Sequence, residues 1–215
     1  MSARPALYLW AEFLLLFAGA PLFILAIKDR GLMILSLWLG ALLVWLMLRR
    51  YYVRAHADEW NWAGFRAGLK PVIYRFLALA PLITLATWLF VPDGFLSLPR
   101  EKTQLWLQIM IFYPLLSVWP QEIIYRSFLY YRYNPLFPSK RAYIAASAIT
   151  FSFMHIMFMN PVALIMTLAG GYLFASDFAR HRSLGLACLE HALYGCLIFT
   201  VGLGQFFYSG AAWGQ

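Results

Sequence analysis

The chain has 215 residues, 63% of them hydrophobic and only 12% charged, with a formal net charge of +8. Soluble domains carry about 25% charged residues because their surface must be wetted, so this composition excludes an ordinary water-soluble fold and matches lipid. The length leaves room for several spans of about 20 residues and no separate soluble domain.

In chain order, apolar runs cover Ala6–Ile27, Gly31–Leu48, Pro71–Val91, Thr103–Tyr131, Ala142–Met159, Pro161–Ala179 and Leu184–Leu203. They predict an all-α polytopic transmembrane bundle, a single integral membrane domain over 1–215 with about seven spans, the count lying between six and eight. The segment Met1–Trp10 lacks a compact cleavage pattern, so the first run reads as a retained helix. His56–Lys70, with Trp60, Trp62 and Phe65 among charges, suits either a helix lying in the interface or an anchoring loop. The fourth run is long for one crossing and contains Pro114 and Pro120, which predicts a kink or an extension beyond the membrane. Asn160-Pro161 marks a tight turn, and Cys188 and Cys196 share one helix and cannot bridge each other.

The basic residues are distributed unequally between the two sets of loops. The N-terminal arm, Arg49–Lys70, Arg132–Arg141 and Arg180–Arg182 carry 1, 5, 3 and 2 Lys or Arg, eleven together. The alternate set, Lys28–Arg30, Pro92–Lys102, the Asn160 turn and the C-terminal tail, carries 2, 2, 0 and 0, four together. Cytoplasmic loops collect Lys and Arg, so the bias predicts a cytoplasmic N-terminus and an external C-terminus. It also accounts for the net charge without nucleic acid, for which no basic stripe exists.

Ionisable groups inside spans cost at least about 2.5 kcal/mol on insertion scales, so they must pair, line a wet cavity or work. Glu12, Arg75 and Asp177 stand alone in their runs and suit snorkelling or structural pairing. Glu122 and Arg126 share a helix face four residues apart, as do Phe151 and His155, and His191 follows Glu190. Helical rise puts Glu122, His155 and His191 about 13, 20 and 10 Å from the basic-loop ends of their spans. One carboxylate and two imidazoles therefore share a cavity, expected to open toward the cytoplasm. A carboxylate with an imidazole can orient and deprotonate water, and a second imidazole can donate to an oxyanion. The same three, Glu122, His155 and His191, can alternatively hold a divalent metal such as zinc. Both routes lead to hydrolysis of a peptide bond.

Gln121-Glu122-Ile123-Ile124-Tyr125-Arg126, Phe151-Ser152-Phe153-Met154-His155 and His191-Ala192-Leu193-Tyr194-Gly195 together resemble the CPBP family of CAAX proteases and bacteriocin-processing enzymes, also called Abi. That family's pattern is Glu-Glu-x-x-x-Arg, Phe-x-x-x-His and His-x-x-x-Asn/Asp on successive membrane helices. The resemblance spans Pro114–Leu203, within a catalytic core over about 104–204, and the first three spans match only in hydrophobicity. It implies an intramembrane endopeptidase of the bacterial inner membrane acting on membrane-associated proteins or peptides. By the resemblance, Glu122 is the base, Arg126 its partner, His155 the water-orienting residue, and His191 the oxyanion donor or a metal ligand. Gln121, Phe151, Tyr194 and Glu190 are supporting candidates. Gln121 stands where the family's first Glu belongs, and Gly195 where its Asn/Asp belongs, leaving Tyr194 or Gln121 as substitute donors. The competing reading is a non-catalytic relative, a peptide-binding immunity or assembly factor, or a proton-coupled transporter.

Overall fold

The computed structural model describes residues 3–207. Among the described residues the chain is helical without a strand, and seven helices are long and apolar enough to cross a membrane. They are α1 (Ala6–Ile27), α2 (Arg30–Tyr51), α3 (Trp62–Phe90), α4 (Thr103–Leu136), α5 (Lys140–Phe158), α6 (Pro161–His181) and α7 (Leu184–Val201). The protein is an integral membrane helical bundle.

Five of the seven starts are set by a residue whose side chain accepts from a backbone N–H three positions on. Asp29, Asn61, Ser139, Asn160 and Ser183 cap α2, α3, α5, α6 and α7 in this way. The Asn61 cap explains why α3 begins nine residues before the apolar run Pro71–Val91. The stretch His56–Lys70 is accordingly divided: Val53–Glu59 is a short helix, and Trp62–Lys70 is the first part of α3. Asn61 also donates to the carbonyls of His181 and Arg182, at 3.1 and 2.9 Å, which ties this start to the α6–α7 turn. Asp58 accepts from Tyr131 at 2.7 Å and pairs with Arg182. Burial pushes its carboxyl above the usual carboxylate range, against the pull of both partners.

The long fourth run is one helix of 34 residues, about 51 Å by helical rise, interrupted by π-helical turns at Pro114–Val118 and Ile123–Phe128. A π-turn accommodates the hydrogen bond that Pro114 cannot donate, and it rotates the downstream face.

Helices α5 and α7 are the inner elements, each with 44% of its apolar window buried, against 11% for α2 and α3, which mainly face lipid. At Gly171 a Cβ would lie 3.1 Å from the Ala148 Cα, so the small residue sets the close approach of α5 and α6.

The end of the bundle that carries Arg49–Lys70, Arg132–Arg141 and Arg180–Arg182 is solid. Phe13, Phe17, Tyr125, Phe128, Tyr133 and Tyr143 fill it, with edge-on ring contacts such as Phe17–Tyr125 at 5.5 Å and Phe128–Tyr133 at 5.3 Å. Glu12 accepts there from Arg132 Nε and Nη2, at 2.9 and 2.7 Å, and from the Tyr133 hydroxyl at 2.6 Å. Its role is structural pairing.

Candidate active site

A cavity of about 660 Å³ lies between α2, α3, α4, α5, α6 and α7, running from the middle of the bundle, at Gln121, Phe174 and His191, toward the end away from the solid aromatic one. It reaches Arg30, Phe158 and Phe207 at the loops opposite the basic ones. The expected opening toward the basic, cytoplasmic-type loops is therefore corrected. Helical rise gave depth along each span but not which end the aromatic side chains would fill.

Glu122 is fully buried and does not line this cavity. Its Oε1 lies 2.9 Å from His191 Nδ1, and its Oε2 lies 2.9 Å from Arg126 Nε. The i, i+4 spacing supplies the second contact, whereas the first joins α4 to α7. Arg126 is also fully buried; it donates to Ser147 Oγ at 2.6 Å and lies over the Phe151 ring at 4.9 Å. A buried charge pair offsets its desolvation only when its remaining hydrogen bonds are met, and Ser147 and His191 meet part of them.

A carboxylate can only accept, so the hydrogen on His191 Nδ1 is held toward Glu122 and Nε2 is left as the working nitrogen. His191 stacks on Phe174 at 4.8 Å and meets Phe151 edge-on at 5.4 Å, and it forms part of the cavity wall. Its Nε2 lies 3.0 Å from the Tyr113 hydroxyl. His155 also lines the cavity, with Nδ1 2.7 Å from the Phe151 carbonyl oxygen. The same reasoning fixes its hydrogen on Nδ1 and leaves Nε2 as an acceptor. Phe151 packs against both imidazoles, its ring 4.7 Å from that of His155.

Gln121 lines the cavity and donates to Ser117 Oγ at 2.7 Å. Tyr194 lines it too, edge-on to Phe76 at 5.3 Å. Glu190 points elsewhere: with Asp177 it pairs with Arg75, whose Nε lies 3.0 Å from Glu190 Oε1. Arg75 thus binds α3 to α6 and α7. Replacing it with Leu leaves two carboxylates in a dry interface, and the expected loss is about 3–5 kcal/mol. Thermal unfolding in detergent, compared with wild type, measures it.

Sequence reasoning missed Tyr113. Tyr113, Ser117 and Gln121 recur every four residues and all face the cavity. That polar stripe in an apolar run was the available signal, and the π-turn over Pro114–Val118 keeps the spacing of four on one face. The same ring explains Gly195. A Cβ there would lie 2.3–2.6 Å from the Tyr113 ring and hydroxyl, so the glycine makes the room that Tyr113 occupies.

Glu122, His155 and His191 as arranged do not make a metal cage. Both Glu122 oxygens are turned to His191 Nδ1 and Arg126, and His155 Nδ1 faces a backbone carbonyl. Among the described residues no group of three or more His, Cys, Asp or Glu is placed to hold a metal ion.

No curated protein and no solved structure matches the chain. One family model does, described as Type II CAAX prenyl endopeptidase Rce1-like, over residues 103–197. That segment runs from the start of α4 into α7 and contains Tyr113, Gln121, Glu122, Arg126, His155, His191 and Gly195. The resemblance to the CAAX-protease family read from three short motifs therefore holds over residues 103–197, the segment that supplies every one of those seven residues.

Proposed function

We propose that the chain is an intramembrane endopeptidase that hydrolyses peptide bonds of membrane-associated proteins or peptides with water activated by His191. The Glu122–His191 contact carries the reading. It places a buried carboxylate behind an imidazole whose other nitrogen faces the cavity, the arrangement that makes a histidine an effective base. The family described as a CAAX prenyl endopeptidase supplies the reaction class.

In this mechanism His191 Nε2 takes a proton from water, and the resulting hydroxide oxygen bonds to the scissile carbonyl carbon. The carbonyl electron pair moves onto its oxygen. The imidazolium, stabilised by Glu122, then returns the proton to the leaving nitrogen as the C–N bond breaks. His155 Nε2 accepts a hydrogen bond from the second water hydrogen, which stays on the oxygen, and so aims a water lone pair at the carbonyl. Tyr113, whose hydroxyl can turn from Nε2, and the Gln121 amide are the donors available to the oxyanion. Glu122 and Arg126 act through His191 and are positioning residues.

The test is proteolysis by purified protein in liposomes, read by mass spectrometry of new termini in co-reconstituted membrane peptides. His191→Ala is expected to abolish the products while the fold survives, and a chelator is expected to leave them unchanged. Products at the wild-type rate from His191→Ala would refute the mechanism. Peptide binding or proton flux without any cleavage would support the scaffold or transporter reading instead.

A further inference from the structure

His155 stands where α5 tightens into the 3-10 turn His155–Phe158, at the end of its helix. No further α-helical turn supports its side chain, and a group that aims a reacting water must be held within about 0.5 Å. Three aromatic rings meet its imidazole, and all four line the cavity. Phe151 and Phe158 lie 4.7 and 5.7 Å away between ring centres, but both belong to α5 and move with His155. Phe207 comes from elsewhere, edge-on to His155 at 6.4 Å and to Phe158 at 5.7 Å.

Phe207 belongs to the short turn Leu203–Phe207, which crosses from the end of α7 to the α5–α6 turn. Both ends of the crossing are fastened. Gly202 leaves α7 at φ 109°, where a side chain would run into the Gly94 carbonyl, and the Leu96 N–H donates to the Val201 carbonyl at 3.1 Å. At the far end Asn160 Nδ2 donates to the Phe206 carbonyl at 2.6 Å, while Oδ1 accepts from the Ala163 N–H to cap α6. One asparagine thus starts α6 and seats a ring beside His155. Gly202 and Phe207 lie beyond residues 103–197, so the matched segment does not contain this support.

We infer that Phe207 is a positioning residue for His155 and that Asn160 is the clasp that holds it there. The inference rests on the role given to His155 in the proposed function. His155 Nε2 faces the water only in the ring orientation that directs Nδ1–H to the Phe151 carbonyl. Turned over, the imidazole presents Cε1 in place of Nε2 and carries Nδ1 off the carbonyl, which frees the hydrogen to sit on either nitrogen. A ring anchored outside α5 opposes that turn.

The experiment compares full-length wild type, Phe207→Ala, Phe207→Tyr and Asn160→Asp. The aspartate keeps an oxygen for the Ala163 N–H and loses the donor to Phe206, so α6 keeps its start while the clasp opens. Ring nitrogen NMR of histidine-labelled protein in micelles reads the tautomer, with His155 among four histidines identified by the signal lost in His155→Gln. Wild type and Phe207→Tyr are expected to show one tautomer, hydrogen on Nδ1, and Phe207→Ala and Asn160→Asp a mixture of both. In steady-state cleavage those two are expected to lose roughly 10- to 100-fold in kcat with KM little changed, the scale of a displaced reacting group, and Phe207→Tyr to restore it. An unchanged His155 tautomer in both Phe207→Ala and Asn160→Asp, or a loss confined to KM, overturns the inference. Absence of cleavage by wild type removes the proposed function, while the tautomers still decide whether Phe207 holds His155.

Discussion

Glu122→Gln is expected to lower the rate of peptide hydrolysis by roughly 10⁴-fold, the scale seen when the acid behind a catalytic histidine becomes an amide. The substitution keeps shape and removes charge. An amide N–H turned to His191 Nδ1 donates to it and moves the imidazole hydrogen to Nε2, which can then no longer take a proton from water. Stability must be separated from chemistry here, because Arg126 would be left buried without its counter-charge, at about 3–5 kcal/mol. The double variant Glu122→Gln/Arg126→Met relieves that penalty. It is expected to recover the thermal midpoint and to remain inactive. If Glu122→Gln cleaves as fast as wild type, the carboxylate does not act through His191.

Tyr113→Phe is expected to reduce kcat by roughly 10²- to 10³-fold with KM little changed, the loss typical of one oxyanion donor. The ring remains, so its contact with Gly195 survives, and the stability change should stay near 1 kcal/mol, the value of one hydrogen bond. Gly195→Ala reaches the same residue by a different route. Its new methyl group overlaps the Tyr113 ring, which must shift at about 1–3 kcal/mol, carrying the hydroxyl off His191 Nε2. Because both changes act on one hydroxyl, the double variant Tyr113→Phe/Gly195→Ala should lose little more activity than Tyr113→Phe alone. Steady-state kinetics on the four proteins tests this, and additive losses would show that Gly195 acts independently of Tyr113.

Most of the bundle was legible because hydropathy and capping are local. The seven apolar runs are the seven long helices, and Asp29, Asn61, Ser139, Asn160 and Ser183 mark starts that periodicity alone leaves vague. The early start of α3 escaped because Trp62–Lys70 is polar enough to read as loop or interface, whereas one cap and two backbone contacts hold it in the helix. Pairings between helices are non-local, and there the sequence was weaker. Glu122 and Arg126 declared themselves by spacing, but Arg75 looked solitary, and its partners lie about a hundred positions away on α6 and α7.

The direction of the cavity was not legible, since it depends on which end the aromatic residues of four helices happen to fill. Gln121 and Gly195 looked like losses against the family pattern. The structure gives each a neighbour: Gln121 faces the cavity beside Ser117, and Gly195 yields its space to Tyr113. The Gly195 departure thus becomes a substitution in space, a tyrosine hydroxyl beside His191 where the pattern expects an amide or carboxyl from α7.

The most direct measurement of the central claim is the appearance of new peptide termini in liposomes containing purified wild-type protein and a membrane-anchored peptide library, set beside His191→Ala at matched folding. Cleavage by the wild type and its loss in the variant is the result that the Glu122–His191 arrangement predicts. Equal cleavage by both would contradict it.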